Sequence, residues 1–285
     1  MKLVYVNGRY LPLSRAAVSV LDRGFQFGDA VYEVWGVRDG ALLDTDAHFA
    51  RLRRSLDALR IPAPMTERAL LLVLKETMRR NRVRDGLVYL QISRGAPSER
   101  DHAFPMRPLC ATVVVTAKNL DQRAQERKYE TGVSVITTPE TRWARRDIKS
   151  VNLLPNVLAR QAAKEAGAFE AWFVDERGAI TEGTASNAWI VDNEGRLRTR
   201  ELSNHILHGV TRAALLHLAR ERQMSVVEGP FTVAEAKAAR EAFISSATNP
   251  AVPVIAIDGA PVGDGRPGPV ARALYQAYLG IGAGA

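Results

Sequence analysis

Arg23-Gly24-Phe25-Gln26-Phe27-Gly28-Asp29-Ala30-Val31-Tyr32-Glu33-Val34 leads into an alternating run that continues to Val37, reaches Asp39-Gly40 and resumes at Ala41-Leu42-Leu43. Alternation with period two followed by Asp-Gly predicts a β-hairpin, because a two-residue turn needs positive φ at both central residues. Asn7-Gly8 predicts a second hairpin upstream by the same argument. Downstream, residues 46–60 carry Phe49, Leu52, Leu56 and Leu59 at helical spacing, and Pro62 and Pro64 stop the helix. Residues 66–81 repeat the helical pattern behind Thr66 as a cap, and strands are expected at 86–93 and 109–116.

From Asn119 to Lys128 the chain turns polar, which predicts a linker over 119–128 between an N-terminal domain, 1–118, and a C-terminal domain, 129–285. The second half shows strand patterns near 133–137, 171–174 and 188–191, and helical patterns over 152–166, 210–222 and 269–279. Strands and helices mix without strict β-α-β alternation, so the expected fold class is α+β rather than a doubly wound sheet. No internal repeat is visible; the nearest approach to low complexity is the Gly/Pro/Ala-rich tail after Gly263.

Composition bounds the function classes. The apolar fraction of 46% and charged fraction of 25% are those of a globular protein. No apolar run approaches the roughly 20 residues that span a bilayer, and the N-terminal residues read as a strand entering a turn. A cytoplasmic protein without a membrane partner is therefore expected. The formal charge of +8 invites a nucleic-acid reading, but the basic residues are scattered and interrupted by acidic ones. The densest groups, Arg51/Arg53/Arg54 and Arg79/Arg80/Arg82/Arg84, lack interleaved aromatics, so a solvated Arg-rich surface is expected instead. Cys110 is the only cysteine; lying in the apolar run 109–115, it is expected to be a buried thiol. His205, His208 and His217 have no carboxylate or cysteine partners at ligand spacing, so no metal is expected. No glycine-rich nucleotide-phosphate loop is present.

Lys149, one of only seven lysines, lies in Asp147-Ile148-Lys149-Ser150 between Trp143 and Val151-Asn152-Leu153-Leu154. Desolvation there would lower its pKa and make it a nucleophile toward an aldehyde. Taken alone, a lysine stretching to solvent is the better reading. Glu182, in Ile180-Thr181-Glu182-Gly183-Thr184-Ala185-Ser186-Asn187, reads alone as a turn carboxylate.

Together these segments resemble the fold-type IV pyridoxal-phosphate aminotransferases. Arg142-Trp143-x-Arg145-x-Asp147-Ile148-Lys149-Ser150-x-Asn152-Leu153-Leu154 is similar to the cofactor-lysine segment of the D-amino acid aminotransferases. Arg94-Gly95 followed by Arg100-Asp101-His102 narrows the resemblance to that group. It implies a smaller N-terminal α/β domain, a larger C-terminal pseudo-barrel domain, and pyridoxal 5'-phosphate as cofactor. By resemblance, Lys149 holds the cofactor aldehyde and moves the substrate's α-proton, and Glu182 faces the ring nitrogen. Arg51 binds the phosphate with backbone N–H groups of Val210 and Thr211, and with Ser246 and Ala247; Leu207 packs on the ring.

The substrate α-carboxylate falls to Tyr32, Arg100 and His102, the last two reaching over from a neighbouring subunit in a homodimer. The implied reaction is ping-pong transfer of an amino group from a D-amino acid, such as D-alanine or D-glutamate, to 2-oxoglutarate or pyruvate. Two activities on the same scaffold stay open: branched-chain L-amino acid aminotransferase and aminodeoxychorismate lyase. An amine transaminase is a weaker fit, because such enzymes need room for a substrate without a carboxylate. From another class altogether comes a basic binding protein without catalysis. Four positions depart from the family pattern. Thr184-Ala185 stand where serine is frequent at both, and Ala247 where threonine is common, so modestly weaker cofactor retention is expected from Ala185 and Ala247. Gly36 stands where some relatives carry lysine, which would reshape the side-chain pocket.

Overall fold

The computed structural model describes residues 2–281, so Met1 and the Gly/Ala-rich end of the tail, 282–285, lie outside the description, and all counts refer to the described residues. The chain divides into two compact units. The first runs to Leu120 and also takes Ile148–Asn152; the second comprises Asp121–Asp147 and Leu153–Ala285. Both mix strands and helices irregularly, and the protein is α+β.

In the first unit the elements are β1 (Leu3–Val6), β2 (Arg9–Pro12), α1 (Arg23–Phe27), β3 (Ala30–Arg38), β4 (Ala41–Leu42), α2 (Thr45–Ala58), α3 (Glu67–Asn81), β5 (Gly86–Ser93) and β6 (Thr112–Asn119). They form a six-stranded sheet of order β2-β1-β6-β5-β3-β4, antiparallel throughout. Both hairpins turn where Asx-Gly required it, with φ of 44° and 89° at Asn7-Gly8 and 49° and 80° at Asp39-Gly40. Helices α2 and α3 pack on the sheet through Phe49, Leu52, Leu56, Leu70, Leu74 and Met78, against Trp35, Val88, Leu90, Ile92 and Val115. Each such buried side chain contributes about 1.5–3 kcal/mol. The Thr66 hydroxyl accepts from Ala69 N at the start of α3, as its position predicts.

The sixth strand begins three residues later than the apolar run. Pairing with β5 starts at Ser93↔Thr112, because the chain leaves the sheet at Arg94-Gly95 and leaves residues 109–111 no strand to pair with. Cys110 therefore lies outside the core and is exposed, contrary to the buried thiol expected. The segment 119–128 is also not an extended linker: Asn119 closes β6, and a helix starts at Gln122 with the Asp121 side chain accepting from Ala124 N. The expected boundary at 128/129 moves to 120/121, and Ile148–Asn152 leaves the second domain for the first.

The second unit contains α4 (Gln122–Thr131), β7 (Val133–Pro139), α5 (Leu154–Glu165), β8 (Glu170–Val174), β9 (Ile180–Gly183), β10 (Asn187–Val191), β11 (Leu197–Thr199), α6 (Val210–Glu221), β12 (Val226–Glu228), α7 (Val233–Ala238), β13 (Glu241–Ser246), β14 (Asn249–Ile257), β15 (Ala260–Pro261) and α8 (Pro269–Ile281). Its nine-stranded sheet runs β12-β11-β10-β13-β14-β7-β8-β9, with β15 on β14. Strand β9, at the far end of that order, also packs against β10 in its middle, so the sheet curls back on itself. Trp172, Ile180, Ile190, Phe231, Ile244, Val252 and Val254 fill the core.

Candidate active site

Lys149 is placed by backbone pairing. Tyr32 N donates to Lys149 O (3.0 Å), Val151 N to Ala30 O (3.1 Å), and Val31 bridges Ser150. Lys149 N in turn donates to the Ser55 hydroxyl (3.2 Å). The segment is thereby laid along the start of β3, with Ile148 and Ser150 buried on either side. The Lys149 Nζ lies 4.1 Å from the Tyr32 ring centroid. Among the described residues no carboxylate pairs with it. Tyr32 stacks on Tyr89, ring centroids 5.6 Å apart, and burial, with Tyr32 beside it, pushes the Tyr89 phenol up to about 12. The Tyr89 hydroxyl donates to Gln91 Oε1 (2.7 Å), the residue opposite Tyr32 in the ladder.

Arg51 occupies the inner side of α2. Its Nε donates to Glu33 Oε1 (2.7 Å) and its Nη2 to Glu33 Oε2 (2.8 Å), a two-pronged pair on a carboxylate with no solvent exposure. His48 Nδ1 lies 2.7 Å from Glu33 Oε2 and 3.3 Å from Arg51 Nη2. The Glu33 carboxylate can only accept, so the closer contact assigns the proton to His48 Nδ1, which donates to Glu33, and the longer Arg51 Nη2 contact is then not a hydrogen bond. Burial acts to raise the Glu33 carboxyl, but Arg51 and His48 outweigh it and hold the group down at about 2. Burial also lowers the His48 imidazole, which stays neutral. Glu33 and His48 are the residues sequence reading passed over. The signal was present: Glu33 alternates with Val31, Trp35 and Val37 on the inward face of β3, where a carboxylate needs a buried partner.

Arg100 and His102 lie on the irregular, exposed segment joining β5 to β6, as the turn-forming residues before them predict. The Arg100 guanidinium sits 4.6 Å over the Phe27 ring, and the His102 ring is 5.1 Å from the same ring.

The second unit carries the remaining residues. Glu182, on β9, is buried; Leu207 N donates to both carboxyl oxygens (3.0 Å each), Arg142 Nη1 to Oε1 (2.6 Å) and Asn187 Nδ2 to Oε2 (3.0 Å). Burial raises this carboxyl above its usual range against the pull of Arg142 and Leu207 N–H. Arg142 itself is shared with Glu140. The partners of Glu182 are scattered along the sequence, and only Asn187 was within reach of a local motif.

Helix α6 begins at Gly209-Val210-Thr211 with no side-chain cap, so its first N–H groups stay open to an anion. A Cβ at Gly209 would overlap Asn187 Oδ1, so a larger residue there must displace that amide. Ser246 ends β13 and Ala247-Thr248 make the turn into β14, where Asn249 Nδ2 donates to the hydroxyls of Ser246 (3.3 Å) and Thr248 (3.2 Å). The Thr184 hydroxyl is committed to Glu170, and Ala185 is exposed.

Residues 30–257 match the family described as amino-transferase class IV. The chain is 40% identical over 278 residues to the D-alanine aminotransferase of Bacillus licheniformis, covering 97% of this chain and 95% of that protein. It is 36% identical to the D-alanine aminotransferase of Staphylococcus haemolyticus, covering 98% and 97%. Among solved structures it is similar to the Escherichia coli branched-chain amino acid aminotransferase (TM-score 0.87, 25% identity, 98% and 94% covered). It is also similar to the T.th. branched-chain amino acid aminotransferase with pyridoxamine 5'-phosphate (TM-score 0.85, 29% identity, 97% and 92% covered).

Proposed function

The chain belongs to the class IV aminotransferase family, and on that premise we propose that it transfers the amino group of a D-amino acid to a 2-oxo acid with pyridoxal 5'-phosphate as cofactor. D-alanine or D-glutamate as donor and pyruvate or 2-oxoglutarate as acceptor fit this reading. The observation that carries it is Lys149, pinned by backbone bonds beside the Tyr32 ring, with no carboxylate among the described residues to tie up its amine.

The residues present fit the cofactor part by part. A primary amine suits its aldehyde, and the uncapped start of α6 with the Ser246-Ala247 turn suits its phosphate dianion. Arg51 adds fixed charge, held in place by Glu33. The Glu182 carboxyl, its proton affinity raised by burial, suits a ring N–H. Leu207 supplies an apolar contact for the ring. When bound, pyridoxal phosphate supplies a carbonyl for the amino group and a ring that accepts electrons from the substrate α-carbon. Lys149 Nζ would then carry the α-proton, Tyr32, Arg100 and His102 would orient the α-carboxylate, and Glu182 would keep a proton on its partner nitrogen.

We place the protein in the cytoplasm as a homodimer, Arg100 and His102 of each copy serving substrate bound by the other; their exposure on a loop supports this. No helix among the described residues is long and apolar enough to cross a membrane. The branched-chain reading is favoured by the fold likeness, whereas the D-alanine aminotransferases have the higher identity. An absorbance spectrum of protein loaded with pyridoxal phosphate separates them. The visible cofactor band should disappear with D-alanine, persist with L-leucine, and be insensitive to both in Lys149→Ala. Bleaching by L-leucine alone would replace this reading with the branched-chain one.

A further inference from the structure

Arg23, Asp29 and Arg94 have no part in the chemistry above, yet they form one of the most fully bonded groups in the first unit. Arg23 is 3% exposed, and its guanidinium is spent on main-chain oxygens. Nη1 donates to the carbonyls of Asp101 (2.5 Å) and Ala103 (3.2 Å), and Nη2 to that of His102 (3.0 Å). Nε donates to Asp29 Oδ2 (2.8 Å). Arg94 takes both oxygens of the same carboxylate, Nε to Oδ2 (2.7 Å) and Nη2 to Oδ1 (3.0 Å). It is tied in turn to the carbonyls of Arg60 (2.8 Å) and Leu59 (2.6 Å) after α2.

Aromatic contacts close the assembly. Phe104 lies 3.7 Å from the Arg94 guanidinium, and Phe27, one helical turn after Arg23, carries the side chains of both Arg100 and His102. The base is rigid as well: Asp22 caps α1 through Gly24 N and Phe25 N and accepts from the Ser93 hydroxyl at the end of β5.

Three consecutive carbonyls converging on one buried guanidinium fix the path of residues 101–103. Phe27 fixes the direction of the side chains on either side of Asp101. We propose that Arg23, oriented by the Asp29–Arg94 pair, is a positioning residue for substrate carboxylate recognition: it holds the loop that presents Arg100 and His102. The inference rests on the carboxylate role of those two residues. Arg23 contacts no substrate; it sets where the contacting groups stand. Because the amino donor and the oxo acceptor both bear an α-carboxylate, both are affected alike. A displacement of about an ångström is enough to cost on the order of 10- to 100-fold in such a contact.

The test is steady-state kinetics of Arg23→Met and Arg23→Lys as loaded enzymes, with D-alanine and a 2-oxo acid, beside cofactor content and melting temperature. Arg23→Met should raise KM for both substrates at least about tenfold while kcat changes less than about threefold. Lysine keeps the charge but not the fork, so Arg23→Lys should restore KM only in part. A purely structural role would instead lower the active fraction, and hence kcat, at constant KM. Folded, loaded variants with wild-type KM overturn the inference; if the methionine variant does not fold, the lysine variant decides alone. Wild-type protein inert toward D-alanine overturns the proposed function and this inference with it, whereas active wild type with unaltered variants overturns the inference only.

Discussion

Ala185 and Ala247, in the segments we propose to hold the cofactor, carry no hydroxyl where the family resemblance implies one, and their surroundings differ. Ala185 is exposed, and its neighbour Thr184 has its hydroxyl engaged by Glu170. Ala247 sits between Ser246 and Thr248 in the turn, where both flanking hydroxyls are already bonded to Asn249. A threonine at 247 would add a donor with no competing partner in that set. Ala247→Thr should therefore retain the pyridoxamine form of the cofactor longer than wild type on extended dialysis, by a modest factor of about 3–10, one hydrogen bond's worth. Equal loss from the two proteins would count against Ala247 as a weak point. At this scale the sequence named Lys149, Glu182 and Arg51 only through their motifs. Composition around Lys149 read better as a surface lysine, because the ring beside its amine belongs to Tyr32, more than a hundred residues away.

Helices and strands with strong periodicity stand where their patterns put them, within a residue or two for α2, α3, α6, β3 and β5. Misplaced or missed elements have identifiable causes. Helix α1 is five residues long and owes its turn to the Asp22 cap and to Gly28 at φ 69° rather than to an apolar face. Helix α4 is polar on most sides and buries no residue fully, so composition reads it as a linker. Helix α6 makes a prediction of its own. Gly209 has an ordinary φ of −64°, so its requirement is purely steric. In Gly209→Ala the added Cβ, overlapping Asn187 Oδ1, must push that amide off both Glu182 and Leu207 O. We expect a loss of about 1–3 kcal/mol, a few degrees in Tm, together with weaker binding in a pyridoxal phosphate fluorescence titration. An unchanged Tm and titration would show that Asn187 is not confined as described.

Across the molecule arginines pair with buried carboxylates, of which Glu33 is the most enclosed among the described residues. Its pKa of about 2 lies below the usual 4.5, so it stabilises the fold fully above pH 4.5 and loses that contribution as pH falls toward 2. His48, lowered by burial from its usual 6.5, acts with the same sign, as charging it on acidification opposes the fold. Tm should begin to decline below pH 6.5 and fall most steeply between 4.5 and 2, with Glu33 worth on the order of 3 kcal/mol. Glu33→Gln should be less stable at neutral pH but flatter across the acid window; parallel curves for the two proteins would remove Glu33 as the cause. The hairpins, the long helices, the α+β class and the family motifs are legible in the residues alone, because they follow from local periodicity, turn stereochemistry and residue identity. Packing settled the rest: Ile148–Asn152 rejoins the first unit, Cys110 is exposed, and one buried arginine gathers the carbonyls of residues 101–103. Each of those depends on which backbone groups find partners far along the chain, and that pairing is settled by packing rather than by any local pattern.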